Sequence, residues 1–169
     1  HRIDSEGAPE SVKRLLQITP PDAGPLARTP LPSGPLKVVT PTEVPPPTMM
    51  NANLSYEPSD TFEIDLGYER DIVVERTLLE RRRTAMEFDR LGQVGGSDTV
   101  ETYEIAVRSH LDDPIEIEVV ETVLETWELK TDASHELEDG KAQMMLNIPA
   151  DGEAALEFTL VKHSGTRIP

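Results

Sequence analysis

Alternation of apolar and polar residues dominates the second half of the chain. Tyr103, Ile105 and Val107 alternate with Glu104, Ala106 and Arg108. Ile115, Ile117, Val119, Val123, Trp127 and Leu129 hold odd positions, with Glu116, Glu118, Thr122, Thr126 and Glu128 between them. Ala142, Met144, Leu146 and Ile148 hold even positions, and Ala154, Leu156, Phe158 and Leu160 follow. Successive side chains of a strand point to opposite faces, so each run reads as a half-buried strand. His110-Leu111-Asp112-Asp113-Pro114 and Pro149-Ala150-Asp151-Gly152-Glu153 separate runs with turn-forming residues. Four such runs predict an antiparallel sheet system with one face solvated, on the scale of an immunoglobulin-like β-sandwich. Trp127 is the expected core aromatic.

Upstream the pattern is shorter and more interrupted. Phe62, Ile64 and Leu66 alternate with Thr61, Glu63 and Asp65, and Gly67 ends that strand. Leu54 and Tyr56 alternate before it, with a turn expected at Glu57-Pro58-Ser59-Asp60. Asp71 to Thr77 is β-branched through Ile72, Val73 and Val74. Residues 78–91 carry Leu78, Leu79, Met86, Phe88 and Leu91 around Arg81-Arg82-Arg83. They fit an amphipathic helix or an extended ribbon. No N-cap opens the stretch and Thr84 sits inside it, so strand is the reading. Gly92 to Asp98 (GQVGGSD) predicts a turn or mobile loop.

Residues 1–50 hold 11 of the 15 prolines, which excludes a long helix or a central strand there. Val12, Leu16 and Ile18, and then Leu36 to Val39, mark two short strands at 12–18 and 35–40 across a Pro-rich connection. The expected organisation is all-β. An unstructured or non-native N-terminus (1–11) precedes a small Pro-rich β-module (12–80). A bridging ribbon with a Gly-rich loop (81–99) leads to an immunoglobulin-like sandwich (100–163) and a tail (164–169).

The order of these motifs resembles a known family. Tyr56 to Gly67, Asp71 to Arg76, and Tyr103 to His110 followed by Asp112-Asp113-Pro114-Ile115-Glu116-Ile117 are similar to its markers. Trp127-Glu128 and Pro149 to Glu153 fit as well. The family is the bacterial domain of unknown function forty-one thirty-nine, specifically its C-terminal part, and the resemblance runs over residues 12–161. Ser109 departs from it, standing where the family usually has Asn before the His, as does the Pro-rich 20–47 connection. The resemblance implies an immunoglobulin-like module of an exported bacterial protein, placed in the cell envelope or periplasm. It supplies no catalytic residues.

Charge narrows the function classes. With 32 acidic and 16 basic residues the net charge is −16. A surface of that sign repels nucleic-acid phosphates and anionic lipid. No apolar run reaches the length of a membrane span. Cysteine is absent, which removes disulfides, thiolate catalysis and Cys-ligated metals. The chain opens at His1 without a basic and apolar leader, so a targeting signal is expected outside it.

Three groups of residues carry candidate chemistry. His110, His135 and His163, with Asp112, are candidate ligands for Cu or Zn if loops from one end of a sandwich converge. That reading belongs to a redox or superoxide-handling metalloenzyme. No pair has His-x-His or His-x3-His spacing, and solvated loop histidines are the plainer reading. Asp132, Glu136, Glu138 and Asp139 are candidate Ca²⁺ ligands in a calcium-stabilised surface module, although the EF-hand pattern is missing. Residues 101–139 hold 13 acidic and 2 basic residues, most of which read as the wet face of a sheet. Arg76, Arg81, Arg82 and Arg83, with Arg90 near them, form the one basic cluster; charge-paired contact with the chain's own acidic face or with a neighbouring subunit is its expected use, and a solvated patch is the alternative. No phosphate loop, nucleophile elbow or dinucleotide fingerprint occurs. The sequence therefore favours a non-catalytic module for protein–protein contact or assembly over an enzyme.

Overall fold

The structure, a computed structural model, describes residues 1–4, 11–19, 34–40, 48–54 and 61–168. Among them every regular element is a strand: β1 (Arg2–Asp4), β2 (Val12–Ile18), β3 (Gly34–Thr40), β4 (Thr48–Leu54), β5 (Phe62–Glu69) and β6 (Ile72–Phe88). These are followed by β7 (Val94–Ser109), β8 (Ile115–Thr122), β9 (Trp127–Thr131), β10 (His135–Glu138), β11 (Lys141–Ile148) and β12 (Glu153–Gly165). The all-β class read from alternation is the class observed. No helix among the described residues is long and apolar enough to cross a membrane.

The chain divides into two compact units, His1–Val12 with Glu69–Pro169, and Lys13–Tyr68. The larger unit is a sandwich of two sheets. One runs β10-β11-β8-β1, and the other runs β6-β7-β12-β9. Pairing is antiparallel except that β1 lies parallel to β8, Ile3 opposite Val119. Between the sheets lie Ile117, Val119, Met144, Leu146 and Ile148 from one side and Val74, Ile105, Val107, Leu156, Phe158 and Leu160 from the other. Phe158 is the largest fully buried side chain. Trp127 packs half-buried against this core. In the smaller unit β2 and β5 are neighbours, and β3 and β4 form an antiparallel hairpin from Gly34 opposite Leu54 to Thr40 opposite Thr48. Both expected early strands, 12–18 and 35–40, are therefore strands. The Glu57–Asp60 turn and the Pro-rich connections lie outside the described residues.

Four expectations change. The N-terminus is not wholly unstructured, because Arg2–Asp4 join the larger unit as β1. No boundary falls at residue 80: β6 is one strand from Ile72 to Phe88, laddered to β7, and the units divide between Tyr68 and Glu69. The odd-position run 115–129 is two strands, since β8 and β9 belong to opposite sheets. Finally, GQVGGSD is mostly not a loop. The turn covers only residues 89–93, and Val94 to Asp98 are strand.

Close approach explains two glycines here, Gly96 on β7 and Gly165 on β12. A Cβ on Gly96 collides with the Thr166 side chain and lies 2.9 Å from the Ser164 carbonyl oxygen. Gly165 sits at φ 60°, and a Cβ there runs into the Gly95 carbonyl. The glycines let β12 lie against the far end of β7.

Candidate functional site

The long β6–β7 hairpin builds the site. At its base β6 buries even positions, Ile72 and Val74, and Arg76 continues that stripe. The ladder to β7 then shifts register between Leu78 and Glu80. The extra residue inverts which side chains share a face. Beyond it Arg81 stands opposite Glu101 and Arg83 opposite Thr99, so odd positions now point the way Arg76 did. A second irregularity follows between Thr84 and Glu87, where Ala85 has φ 48°. The hairpin closes on Asp89, whose carboxylate accepts from the Leu91 and Gln93 amides at 2.8 Å each.

The face so assembled is an ion-paired strip. The Arg76 guanidinium donates to both carboxylate oxygens of Glu121 on β8, at 3.1 and 3.2 Å, and lies 4.3 Å over the Tyr103 ring. Its Nε has no hydrogen-bond partner among the described residues. Glu101, only 5% exposed, accepts from Lys162 Nζ at 2.7 Å and from the Tyr103 hydroxyl at 2.9 Å. Arg81 Nε adds a third contact at 3.1 Å. Lys162, followed by the Tyr103 hydroxyl, holds the Glu101 carboxyl below the usual range against the opposing effect of burial. Burial, and then the bond to Glu101, pushes the Tyr103 phenol up. Lys162 also covers the Trp127 ring at 4.2 Å. Further out, Arg83 Nε donates to Ser97 Oγ at 2.7 Å. A recess of about 280 Å³ lies over Arg76, Tyr103, Trp127 and Lys162, and another of about 420 Å³ over Arg81, Arg82, Arg83 and Thr99.

Four cations on this face, Arg76, Arg81, Arg83 and Lys162, meet two carboxylates, Glu101 and Glu121. In a chain of net charge −16 this face is left positive. Arg83 has no carboxylate partner among the described residues. Arg82, on the opposite face, makes only a loose contact with Glu80 at 3.8 Å. Of the basic cluster read from the sequence, the strip thus unites Arg76, Arg81 and Arg83 and turns Arg82 away. Sequence reasoning missed Glu101, Tyr103, Glu121 and Lys162. A signal existed for the two acids: Glu101 and Glu121 both sit on the apolar parity of their strands, as Arg76 does on its own.

Around the hairpin tip a second network fastens the last residues. Asp98, 6% exposed, bonds His163 Nδ1 at 2.8 Å and accepts from Arg167 at 3.0 and 3.3 Å. Arg167, then His163, holds the Asp98 carboxyl below its ordinary value. Glu87 accepts from the Thr166 hydroxyl at 2.6 Å, and that bond, followed by Arg167, lowers its pKa too. The expected tail at 164–169 is therefore anchored at Thr166 and Arg167. Ser97 and Ser164 lie next to Asp98 and His163 in sequence and so on the opposite face of the ladder. They form no Ser-His-Asp relay with them.

The other candidate ligands stay apart. His110 sits in the turn after β7 with Nδ1 3.5 Å from Asp151, and Asp112 is exposed in the same turn. His163 pairs with Asp98, twelve positions back along β7, or roughly 40 Å at the rise of a strand. His135 is exposed on β10, in the other sheet, its Nδ1 3.1 Å from the Ala133 carbonyl. Asp132, Glu136, Glu138 and Asp139 are all exposed, Glu138 standing opposite Lys141 on β11. Among the described residues no three His, Asp or Glu groups are placed to hold a metal ion. Compared with known proteins, the chain matches no family model, no curated protein and no solved structure.

Proposed function

We propose that the chain is a non-catalytic β-sandwich module that mediates protein–protein contact or assembly in a bacterial cell envelope. The observation that carries this reading is the outer half of the β6–β7 hairpin. It presents Leu78, Leu79, Met86, Phe88 and Leu91 between 47% and 83% exposed, beside the arginines. Apolar side chains held out of the core next to an incompletely neutralised charged strip support a contact surface. The family resemblance supports export, and the absence of recognisable catalytic signatures in the sequence agrees with a non-catalytic module.

The test places a photo-crosslinking residue at Leu79 or Phe88 of the full-length protein in its own cells, with Leu137, 62% exposed on β10, as control. A discrete crosslinked product from the hairpin positions and none from Leu137 supports the reading. Equal labelling from all three positions, or from none, overturns it.

A further inference from the structure

We infer that the outer edge of β6, along the regular run 80–84 between its two register shifts, accepts an added strand: an extended peptide segment with carboxylates at alternate positions. This deepens the contact-module reading by naming the chemistry of the partner. Among the described residues β6 has one sheet neighbour, β7, so half of its backbone N–H and C=O groups face away from any strand. An extended chain can complete that ladder. Its alternate side chains would then stand opposite Arg81 and Arg83, which share one face two residues apart, roughly 7 Å. The guanidinium groups are held by side chains of β7. Arg81 is braced on Glu101 and Arg83 on Ser97, each through Nε. Neither guanidinium has a second ion-pair or hydrogen-bond partner among the described residues, and a guanidinium presents its terminal donors as a fork matched to a carboxylate.

Charge selects the occupant. A second β6 laid antiparallel on this edge and centred on Arg82 sets Arg81 against Arg83 of the other copy, and like charges directly opposite destabilise a strand pair. Nucleic acid would find the arginines but meet a chain of charge −16. A carboxylate-bearing strand gains the backbone ladder and neutralises the excess positive charge of the strip. Glu80 and Arg82 on the other face favour uncharged residues between the carboxylates.

The probe is an acetylated, amidated octapeptide of alternating Glu and Thr, titrated by calorimetry at low salt into the whole chain. Saturable binding is expected. It weakens about tenfold in an Arg81→Gln/Arg83→Gln double variant of unchanged melting temperature. It also weakens as added salt shortens the screening length from about 30 Å towards 10 Å. Methylating alternate backbone nitrogens of the peptide abolishes binding if a strand is added and leaves it intact if charge alone acts. No binding, methylation without effect, an alternating Lys-Thr peptide binding equally well, or equal binding of a single-stranded oligonucleotide or inorganic phosphate each overturn the inference. A negative titration beside a positive crosslink from Phe88 would remove strand addition while keeping the contact module.

Discussion

The two halves of the β6–β7–β12 ladder share strands and hydrogen bonding yet are held by different forces. In the inner half, Ile105, Val107, Leu156, Phe158 and Leu160 face the opposite sheet and are at most 5% exposed. In the outer half, the same face carries Arg81, Arg83, Ser97, Thr99 and Lys162, joined by ion pairs and hydroxyl bonds. Backbone pairing thus runs on without regard to burial. What changes is whether the face has a second sheet to pack against. The inner half is stabilised by apolar area removed from water, which is large and insensitive to salt. The outer half is stabilised by interactions that are individually small.

The largest test of this contrast compares two phenylalanines in one sheet. Phe158→Ala should cost about 4 kcal/mol in urea unfolding, the penalty of emptying a well-packed aromatic site. Phe88→Ala, at a residue 62% exposed, should stay within about 0.5 kcal/mol. Similar losses at both would mean the outer half is packed after all. Next in size is the ion pair at the border. Glu121→Gln leaves the Arg76 guanidinium without its counter-ion in a largely buried place and should cost about 3 kcal/mol, whereas the double variant Arg76→Met/Glu121→Leu should recover most of that loss. Arg83→Gln, at the exposed end of the strip, should cost less than about 1 kcal/mol.

The same contrast explains what the sequence made legible. Strands whose inner face is buried alternate cleanly, so β7, β8, β11 and β12 were readable at positions such as Ile105, Ile117, Met144 and Phe158. Alternation does not say which sheet a strand joins, and so the run through Val119 to Leu129 hid the change of sheet between β8 and β9. Beyond the core the period is broken by the extra residue at Leu79, so Arg81 and Arg83, not Arg82, share a face with Arg76. Counting straight on from Ile72 and Val74 selects the wrong arginine. Gly96 looks like a loop residue because the reason for it, the approach of Ser164 to Thr166, lies some seventy positions away. Three residues, Arg2–Asp4, are too short a pattern to reveal a strand. The site's acids were visible in principle, as charges on apolar parity, but only their partners on other strands give that parity a meaning.

Gly96→Ala separates the halves directly. The added methyl meets the Ser164 carbonyl, a backbone group with little freedom to yield, and the cost should be about 2 kcal/mol. In amide hydrogen exchange the loss should be confined to residues 94–100 and 161–167, with Ile105 and Phe158 amides as protected as before. Uniform loss would show one cooperative unit instead of two regions.

Acid titration probes the strip more gently. Glu101 has its folded pKa held down, so the stability it contributes is present above its unfolded value and is lost as pH falls below about 4.5 and through the folded value. Glu101→Gln should therefore lower stability by about 1.5 kcal/mol at pH 7 and flatten the decline of stability below pH 4.5. A variant whose acid limb superimposes on that of the parent would mean the Lys162 and Tyr103 bonds to Glu101 are not maintained in solution.

The smallest effect is expected from metal. His110 and His163 stand far apart along β7, and His135 lies on the other sheet, so no two of these three imidazoles can chelate one ion without rearrangement of the ladder. The acids at 132–139 are exposed and divided between the short strand β10 and the turns on either side of it, which leaves any Ca²⁺ mostly hydrated. A cation present at a concentration equal to its dissociation constant adds only about 0.4 kcal/mol. For a chain of this length that is a rise in melting temperature of about 1 °C. Millimolar Ca²⁺ or Zn²⁺, or their removal by a chelator, should therefore move the melting temperature by no more than about 1 °C. Elemental analysis showing stoichiometric Cu or Zn, lost in His110→Ala or His163→Ala, would require the histidines to meet, and with them the two ends of the ladder that this fold keeps apart.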